Sequence, residues 1–233
     1  MNAVITGASK GLGKELAHFL AAKGFDLHLV ARSRDLLYSL KTELEAGFNV
    51  NVHCHTCDFS NPTSTLILSN LLKAELTSID LLLNNVGAFE FGNLETSPVD
   101  QLNKLLQINL QAAYSISTAL IPTFKQQQKG HIFNIGSIVT KSPRKDVAAY
   151  TISKYALHGF TKVLCDEMKD YNVKVTELVP GSINTSSWDG VEDVPKNDFI
   201  QPQELIDAIW MCYNNTTASN IEQITIRPLN RDF

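Results

Sequence analysis

Ala3-Val-Ile-Thr6 followed by Gly7-Ala-Ser-Lys-Gly11-Leu-Gly13 is the stretch that decides the fold. The short apolar run reads as a buried parallel strand. The glycines allow a tight turn and let the backbone approach a ligand closely. Leu16, Ala17, Phe19 and Leu20 then recur at helical spacing, so the turn opens a helix, which Gly24 ends. The free N–H groups and positive dipole end of that first helical turn suit a phosphate. The spacing is Gly-x-x-x-Gly-x-Gly, unlike the Gly-x-Gly-x-x-Gly of many dinucleotide folds. No Gly-Lys-Ser/Thr follows, so the turn is not a P-loop.

The same alternation runs outward along the chain. Asp26–Ala31 reads as a second strand, followed by Arg32-Ser-Arg34 and a helix from about 35 to 46. A third strand is expected over 49–54, with Asp58 just after it, and Pro62 starts a helix to about 76. Asp80 to Gly87 reads as a fourth strand ending in the polar turn Asn84-Asn85-Val86-Gly87. A helix over 98–110 carries Asn109 and resumes through Leu120. The fifth strand, Gly130 to Ser137, leaves Ser137 at the sheet edge, and a long helix covers 148–168. The sixth strand, 173–179, ends at Pro180-Gly181-Ser-Ile-Asn-Thr185, and 182–200 is expected as a substrate loop holding Trp188 and Phe199. A helix over 202–213 and an alternating edge strand over 221–226 complete the pattern. With no linker or repeat, this predicts one α/β domain over 1–233: a single doubly wound parallel sheet of about seven strands, a Rossmann fold with helices on both faces.

Composition narrows the functional classes. A chain of 233 residues with 44% hydrophobic content builds an ordinary core, and a net charge of -4 gives no reason to expect nucleic acid or an anionic membrane surface. No run of eighteen apolar residues is present. The N-terminus lacks the basic region and long apolar run of a signal peptide, and four cysteines do not make a disulfide framework. The expected location is a reducing cytoplasm. His53-Cys54-His55-Thr-Cys57 tempts a metal reading, but successive strand residues point to opposite faces. With no second cluster to complete a site, no metal is expected there.

Right-handed crossovers gather the strand C-terminal ends on one side, where ligands bind in open α/β sheets. The glycine turn, Arg32, Asp58, Asn85, Ser137 and Pro180-Gly181 all follow such ends. Tyr150 and Lys154 lie four apart on the long helix and share a face. A lysine ammonium held close favours a phenolate, so a lowered tyrosine pKa is expected.

These pieces, in this order and spacing, resemble the short-chain dehydrogenase/reductase family over essentially the whole chain. The matching motifs are Thr6-Gly7-Ala-Ser-Lys-Gly11-Leu-Gly13, Asn84-Asn85-Val-Gly87, Asn109, Ser137, Tyr150-x-x-x-Lys154 and Pro180-Gly181. Val86, where the family usually has alanine, is a mild departure, and the chain lacks the glycine-containing stretch many members carry after the last strand. Among relatives, β-ketoacyl-carrier-protein reductases and sepiapterin-like or general carbonyl reductases look nearest. The resemblance implies reduction of a small-molecule carbonyl, with Tyr150 as proton donor and Ser137 bonding the substrate oxygen. Lys154 would hold the nicotinamide ribose and Asn109 a relaying water. Gly7, Ser9, Lys10, Gly11, Leu12, Gly13, Asn85, Gly87, Pro180, Gly181, Ile183 and Thr185 would line the cofactor cleft, and Asp58 would meet the adenine.

At the end of the second strand an acid would repel the 2′-phosphate of NADP; this chain has Arg32 there and Lys10 in the turn, so NADP(H) is the expected cofactor. A dinucleotide-sensing regulatory protein on the same fold is the alternative. Family members commonly pair helices like those at 98–127, whose Leu102, Leu105, Leu106, Ile108, Tyr114, Ile116 and Leu120 look surplus to one sheet face. A homodimer or homotetramer is therefore expected.

Overall fold

Strand β1 (Asn2–Thr6) pairs in parallel with β2 (Asp26–Ala31) on one side and β4 (Leu81–Asn84) on the other. A computed structural model describes residues 1–188 and 198–230. The seven-stranded sheet runs β3-β2-β1-β4-β5-β6-β7. Its outer members are β3 (Val52–Thr56), β5 (Gly130–Ile135), β6 (Val173–Pro180) and β7 (Gln223–Ile226). All pairings are parallel, and the winding direction reverses between β1 and β4. Loops leaving those two strands must part to opposite faces, which opens a crevice at their C-terminal ends.

Both sheet faces are covered, which explains the near-continuous apolar strands. On one face Ile5, Leu29 and Leu83 pack against α1 (Gly11–Ala22), α2 (Arg34–Gly47) and α7 (Pro202–Asn214). On the other, Val4, Val30, Leu82 and Ile132 meet α3 (Pro62–Glu75), α5 (Ala112–Gln127) and α6 (Ala148–Met168). No helix among the described residues is long and apolar enough to cross a membrane.

Three expectations need correction. The third strand begins later than Asn49. Val50 donates its N–H to the Phe48 carbonyl and Asn51 to the Asp26 carboxylate, so pairing starts at Val52 opposite Leu27. The helix expected over 98–110 is α4 (Val99–Leu106) followed by a π-helical turn, Gln107–Gln111. Such turns insert a residue and re-aim the side chains after it; this one leaves Asn109 buried. Of the residues taken as surplus, Leu105, Ile108, Ile116 and Leu120 are buried within the chain's own core, and Tyr114 is the one clearly exposed. The substrate loop expected over 182–200 is described at its two ends; 189–197 lie outside the described residues.

Candidate active site

The crevice between β1 and β4 is built by backbone geometry. Gly7 and Gly11 have φ of +70° and +51°, a left-handed conformation that favours glycine. At Gly13 the constraint is space, because a Cβ there would lie 2.2 Å from the Gly7 carbonyl oxygen. The Thr6 hydroxyl accepts the N–H groups of Asn85 (3.0 Å) and Val86 (3.1 Å). Asn85 Nδ2 in turn donates to the carbonyls of Thr6 (3.0 Å) and Gly7 (3.3 Å). These bonds tie the glycine turn to the loop after β4. A Cβ on Gly11 would touch Thr185, so the segment leaving β6 reaches the same turn. Ile183 bridges to Ile200, and Gly181 donates its N–H to the Ile226 carbonyl at 2.8 Å. Pro180 and Leu12 are buried, leaving their backbones rather than side chains for a ligand; Ser9 is partly exposed.

Charge is distributed unevenly at the outer end of this crevice. Lys10 and Arg32 are exposed, and among the described residues neither forms a salt bridge. Arg34 instead stacks over the Tyr38 ring of its own helix at 5.3 Å. Asp58 accepts from the Ser60 N–H (3.0 Å) and hydroxyl (2.8 Å), which hold its carboxyl below the usual range; Arg32 adds a smaller pull. Arg32 and Asp58 therefore feel each other across the ends of β2 and β3.

At the inner end, α6 presents Tyr150 and Lys154 together, with Lys154 Nζ 5.8 Å from the Tyr150 ring centre. Lys154 is buried and donates to the Ile135 carbonyl at 2.8 Å. Ser137 caps a short 3-10 turn, Ile138–Thr140, and its hydroxyl lies near enough to the Tyr150 phenol to oppose the rise in the phenol's pKa. Asn109 receives the Ala88 N–H (2.7 Å) and donates to the Ala88 carbonyl (2.9 Å) and the Ser153 hydroxyl (2.8 Å). Its side chain thus fixes the loop after β4 against α6. A Cβ on Gly87 would lie 3.5 Å from Asn109 Oδ1 and 3.7 Å from Lys154 Nζ, so this loop passes directly over the pair.

The proton affinities depart from expectation. Burial raises the Tyr150 pKa, and the Ser137 hydroxyl only partly opposes it. The lysine does not win because its ammonium is spent on the Ile135 carbonyl and lies beside the ring rather than on the hydroxyl. Burial also lowers Lys154 from 10.5 to about 8, against an upward pull from Glu177. A phenol kept neutral is the right form for giving a proton, and a cation beside it stabilises the anion left behind.

Glu177 was missed in the sequence reading, whereas Phe89, Phe91, Trp188 and Phe199 were expected either to line an apolar pocket or to pack in the core and lid. Glu177 is fully buried in β6, where its Oε2 meets His158 Nδ1 at 2.6 Å and Gln223 Nε2 at 2.7 Å. An acid inside the apolar run Val173–Pro180 was the available signal, because a buried carboxylate needs partners. Glu177 favours the cationic form of Lys154, so Glu177→Gln should move the alkaline limb of the pH–rate profile to lower pH. An unmoved limb would remove Glu177 from the electrostatics of the site. Phe89 packs edge-on against Tyr150, centres 5.0 Å apart, and faces Trp188 at 6.3 Å. Hydrogen bonds between Gly92 and the start of α6 hold that loop in place. Phe199 is buried and packs on Trp188; Phe89, itself exposed, is the ring that touches Tyr150 and links it to Trp188.

Comparison with known proteins gives a consistent picture. Residues 1–195 match the family described as short chain dehydrogenase. An "Uncharacterized oxidoreductase" of Staphylococcus epidermidis is 28% identical over 230 residues, covering 97% of this chain and 96% of the relative. A metagenomic short-chain oxidoreductase solved in complex with NADP is 29% identical with a TM-score of 0.84, covering 99% of this chain and 98% of its own. L-sorbose reductase from Gluconobacter frateurii, solved with NADPH and L-sorbose, is 25% identical with a TM-score of 0.88, covering 97% and 95%.

Proposed function

Because this chain belongs to the short chain dehydrogenase family, we propose that it is an NADPH-dependent oxidoreductase that reduces a carbonyl to an alcohol. The observation that carries this is the contiguity of Ser137, Tyr150 and Lys154 at the C-terminal edge of the sheet, beside a glycine cradle at the switch point. The cradle suits a dinucleotide: Gly7 and Gly11 take left-handed backbone and Gly13 packs against the Gly7 carbonyl, which sets a tight turn at the N-terminus of α1, where a phosphate is favoured. NADPH, when bound, supplies the hydride. Ser137 and Tyr150 hold the carbonyl oxygen by their hydroxyls, and Tyr150 gives it a proton as negative charge builds there. Lys154 stabilises the resulting phenolate and is placed to bond a ribose. Asn109 keeps the 87–88 loop in register with these groups.

The preference for NADPH rests on Lys10 and Arg32, two exposed cations without a salt-bridge partner among the described residues, and on the NADP held by similar proteins. Arg32→Asp should weaken NADPH binding about 10- to 150-fold, the equivalent of roughly 1.5–3 kcal/mol for one charge-assisted hydrogen bond. NADH binding should change little. Equal catalytic efficiency of the unaltered enzyme with the two cofactors would overturn the assignment.

The wall of Phe89 and Trp188 favours a carbonyl with an apolar flank, among ketones, aldehydes, diketones, pterins and acyl thioesters. A sensing protein on this fold would have no use for a buried lysine beside a hydroxyl pair, which is why the enzyme is preferred. The four unpaired cysteines fit a reducing cytoplasm. Tyr114, Ile152, Tyr155 and Val163 leave an exposed apolar surface on α5 and α6, which a homodimer or homotetramer would cover. Light scattering should give a multiple of the chain mass at micromolar concentration; a monomer mass would exclude this.

A further inference from the structure

A second polar cluster lies on the α3 face of the sheet, away from the glycine turn. His28 of β2 is in register with His53 of β3, and His55 lies two residues further on. The three rings form a stack around His28, with centres 4.6 Å apart from His53 and 5.3 Å from His55 and planes within 13° and 9°. His28 Nδ1 and His55 Nε2 are 3.1 Å apart, and both residues are buried. Glu75, exposed at the end of α3, brings its carboxylate to them, so that one ligand atom from each of His28, His55 and Glu75 lies within 4.8 Å of the others. A pocket of about 380 Å³, lined by Asn2, His28, His53, Glu75 and Ser78 among others, opens beside the cluster.

The expectation of no metal rested on the alternation of His53, Cys54 and His55 along the strand and on the lack of a second cluster in sequence. His53 and His55 are two apart and share a face, and the partners needed to complete a set come from β2 and α3. The thiols stay out of it: Cys54 bonds the Leu37 carbonyl on the opposite side, and Cys57 bonds Ser64.

We propose that His28, His55 and Glu75 form a binding site for one zinc-class divalent transition-metal ion, with the pocket side left open to water. Two imidazoles and a carboxylate suit borderline ions such as zinc. Tetrahedral zinc with Zn–N of about 2.0–2.1 Å sets two ligand nitrogens about 3.3–3.4 Å apart, so the 3.1 Å pair needs only slight widening. Burial lowers the pKa of His55 and takes that of His28 down to about 4, so both rings are neutral at neutral pH. The close contact of His28 Nδ1 and His55 Nε2 is an N–H···N hydrogen bond, so binding the ion breaks it and shifts its proton to the other nitrogen of that ring, with no net loss of a proton.

The test uses the full chain without a histidine tag, stripped with a chelator and titrated calorimetrically with zinc near neutral pH. One ion per chain should bind, raise the unfolding temperature, and, with cobalt substituted, give the visible absorption of a tetrahedral site. Glu75→Gln leaves the core untouched because Glu75 is exposed. It should weaken zinc at least about tenfold, the low end of what even outer-shell changes cost, with NADPH-dependent turnover unchanged. His18→Gln, which removes a separate, partly exposed pair with Glu43, should leave zinc affinity as it was. Absence of saturable zinc binding, or an affinity in Glu75→Gln equal to that of the unaltered chain, would overturn the proposal.

Discussion

Tyr150→Phe lowers turnover by about 10²–10⁴-fold, the usual loss when a general acid is removed, while NADPH binding stays close to normal. The substitution keeps the ring, so the edge-on contact with Phe89 at 5.0 Å survives and the apolar wall is undisturbed. It removes the hydroxyl that burial holds neutral, with Ser137 only partly opposing that effect. Ser137 remains as a hydrogen-bond donor to the developing oxyanion, but an aliphatic hydroxyl is a far weaker acid than the phenol, whose free pKa is about 10. Steady-state kinetics with a reducible ketone, together with cofactor binding followed by fluorescence, separates the two effects. Near-normal turnover in this variant would show that the proton comes from elsewhere.

Lys154→Ala is the second large effect, and it reaches both chemistry and binding. The ammonium is buried, bonds the last carbonyl of β5 and stands beside the phenol. Its removal deprives the Tyr150 phenolate of its counter-charge and a bound ribose of a donor. Turnover should fall by at least about 10²-fold, with a higher KM for NADPH. The pH dependence gives a separate check. The Lys154 pKa is lowered to about 8, so the group is cationic below that pH and neutral above it. Reduction by the unaltered enzyme should therefore decline as pH rises through about 8, and that limb should vanish in Lys154→Ala. A variant with the same cofactor affinity would contradict the ribose role, and a retained limb would assign it to another group.

The fold was legible because its signals are local. Buried parallel strands are short apolar runs, and the glycine turn, Gly24 and Pro62 punctuate them within a few residues. The strand order, which sets the crevice between β1 and β4, is not in those local signals; connection handedness only narrows it. The features that escaped depend on pairing across the sheet. Nothing within 49–56 specifies that Val52 rather than Asn49 opens the ladder; Asp26, from the neighbouring strand, decides it. The stack of His28, His53 and His55 exists only in that register, so the β3 histidines looked isolated in sequence. Asn109 was found by motif, but its burial comes from a π-helical turn that helical periodicity does not signal. Tyr150 and Lys154 were placed on one face by their spacing, whereas the direction of the tyrosine shift needed the surrounding burial. The apolar count over 98–127 overstated the free surface because α5 also covers the sheet.

Hydride transfer is followed most directly with NADPH carrying deuterium at the transferable position of its nicotinamide, incubated with ketones, aldehydes, diketones and β-ketoacyl thioesters. For at least one of them, deuterium should appear on the new carbinol carbon in step with NADPH consumption, far faster with the unaltered enzyme than with Tyr150→Phe. NADPH that binds but is consumed no faster than in the Tyr150→Phe control, with no deuterated alcohol from any of these carbonyls, would contradict the enzyme and leave the chain a sensor of the dinucleotide.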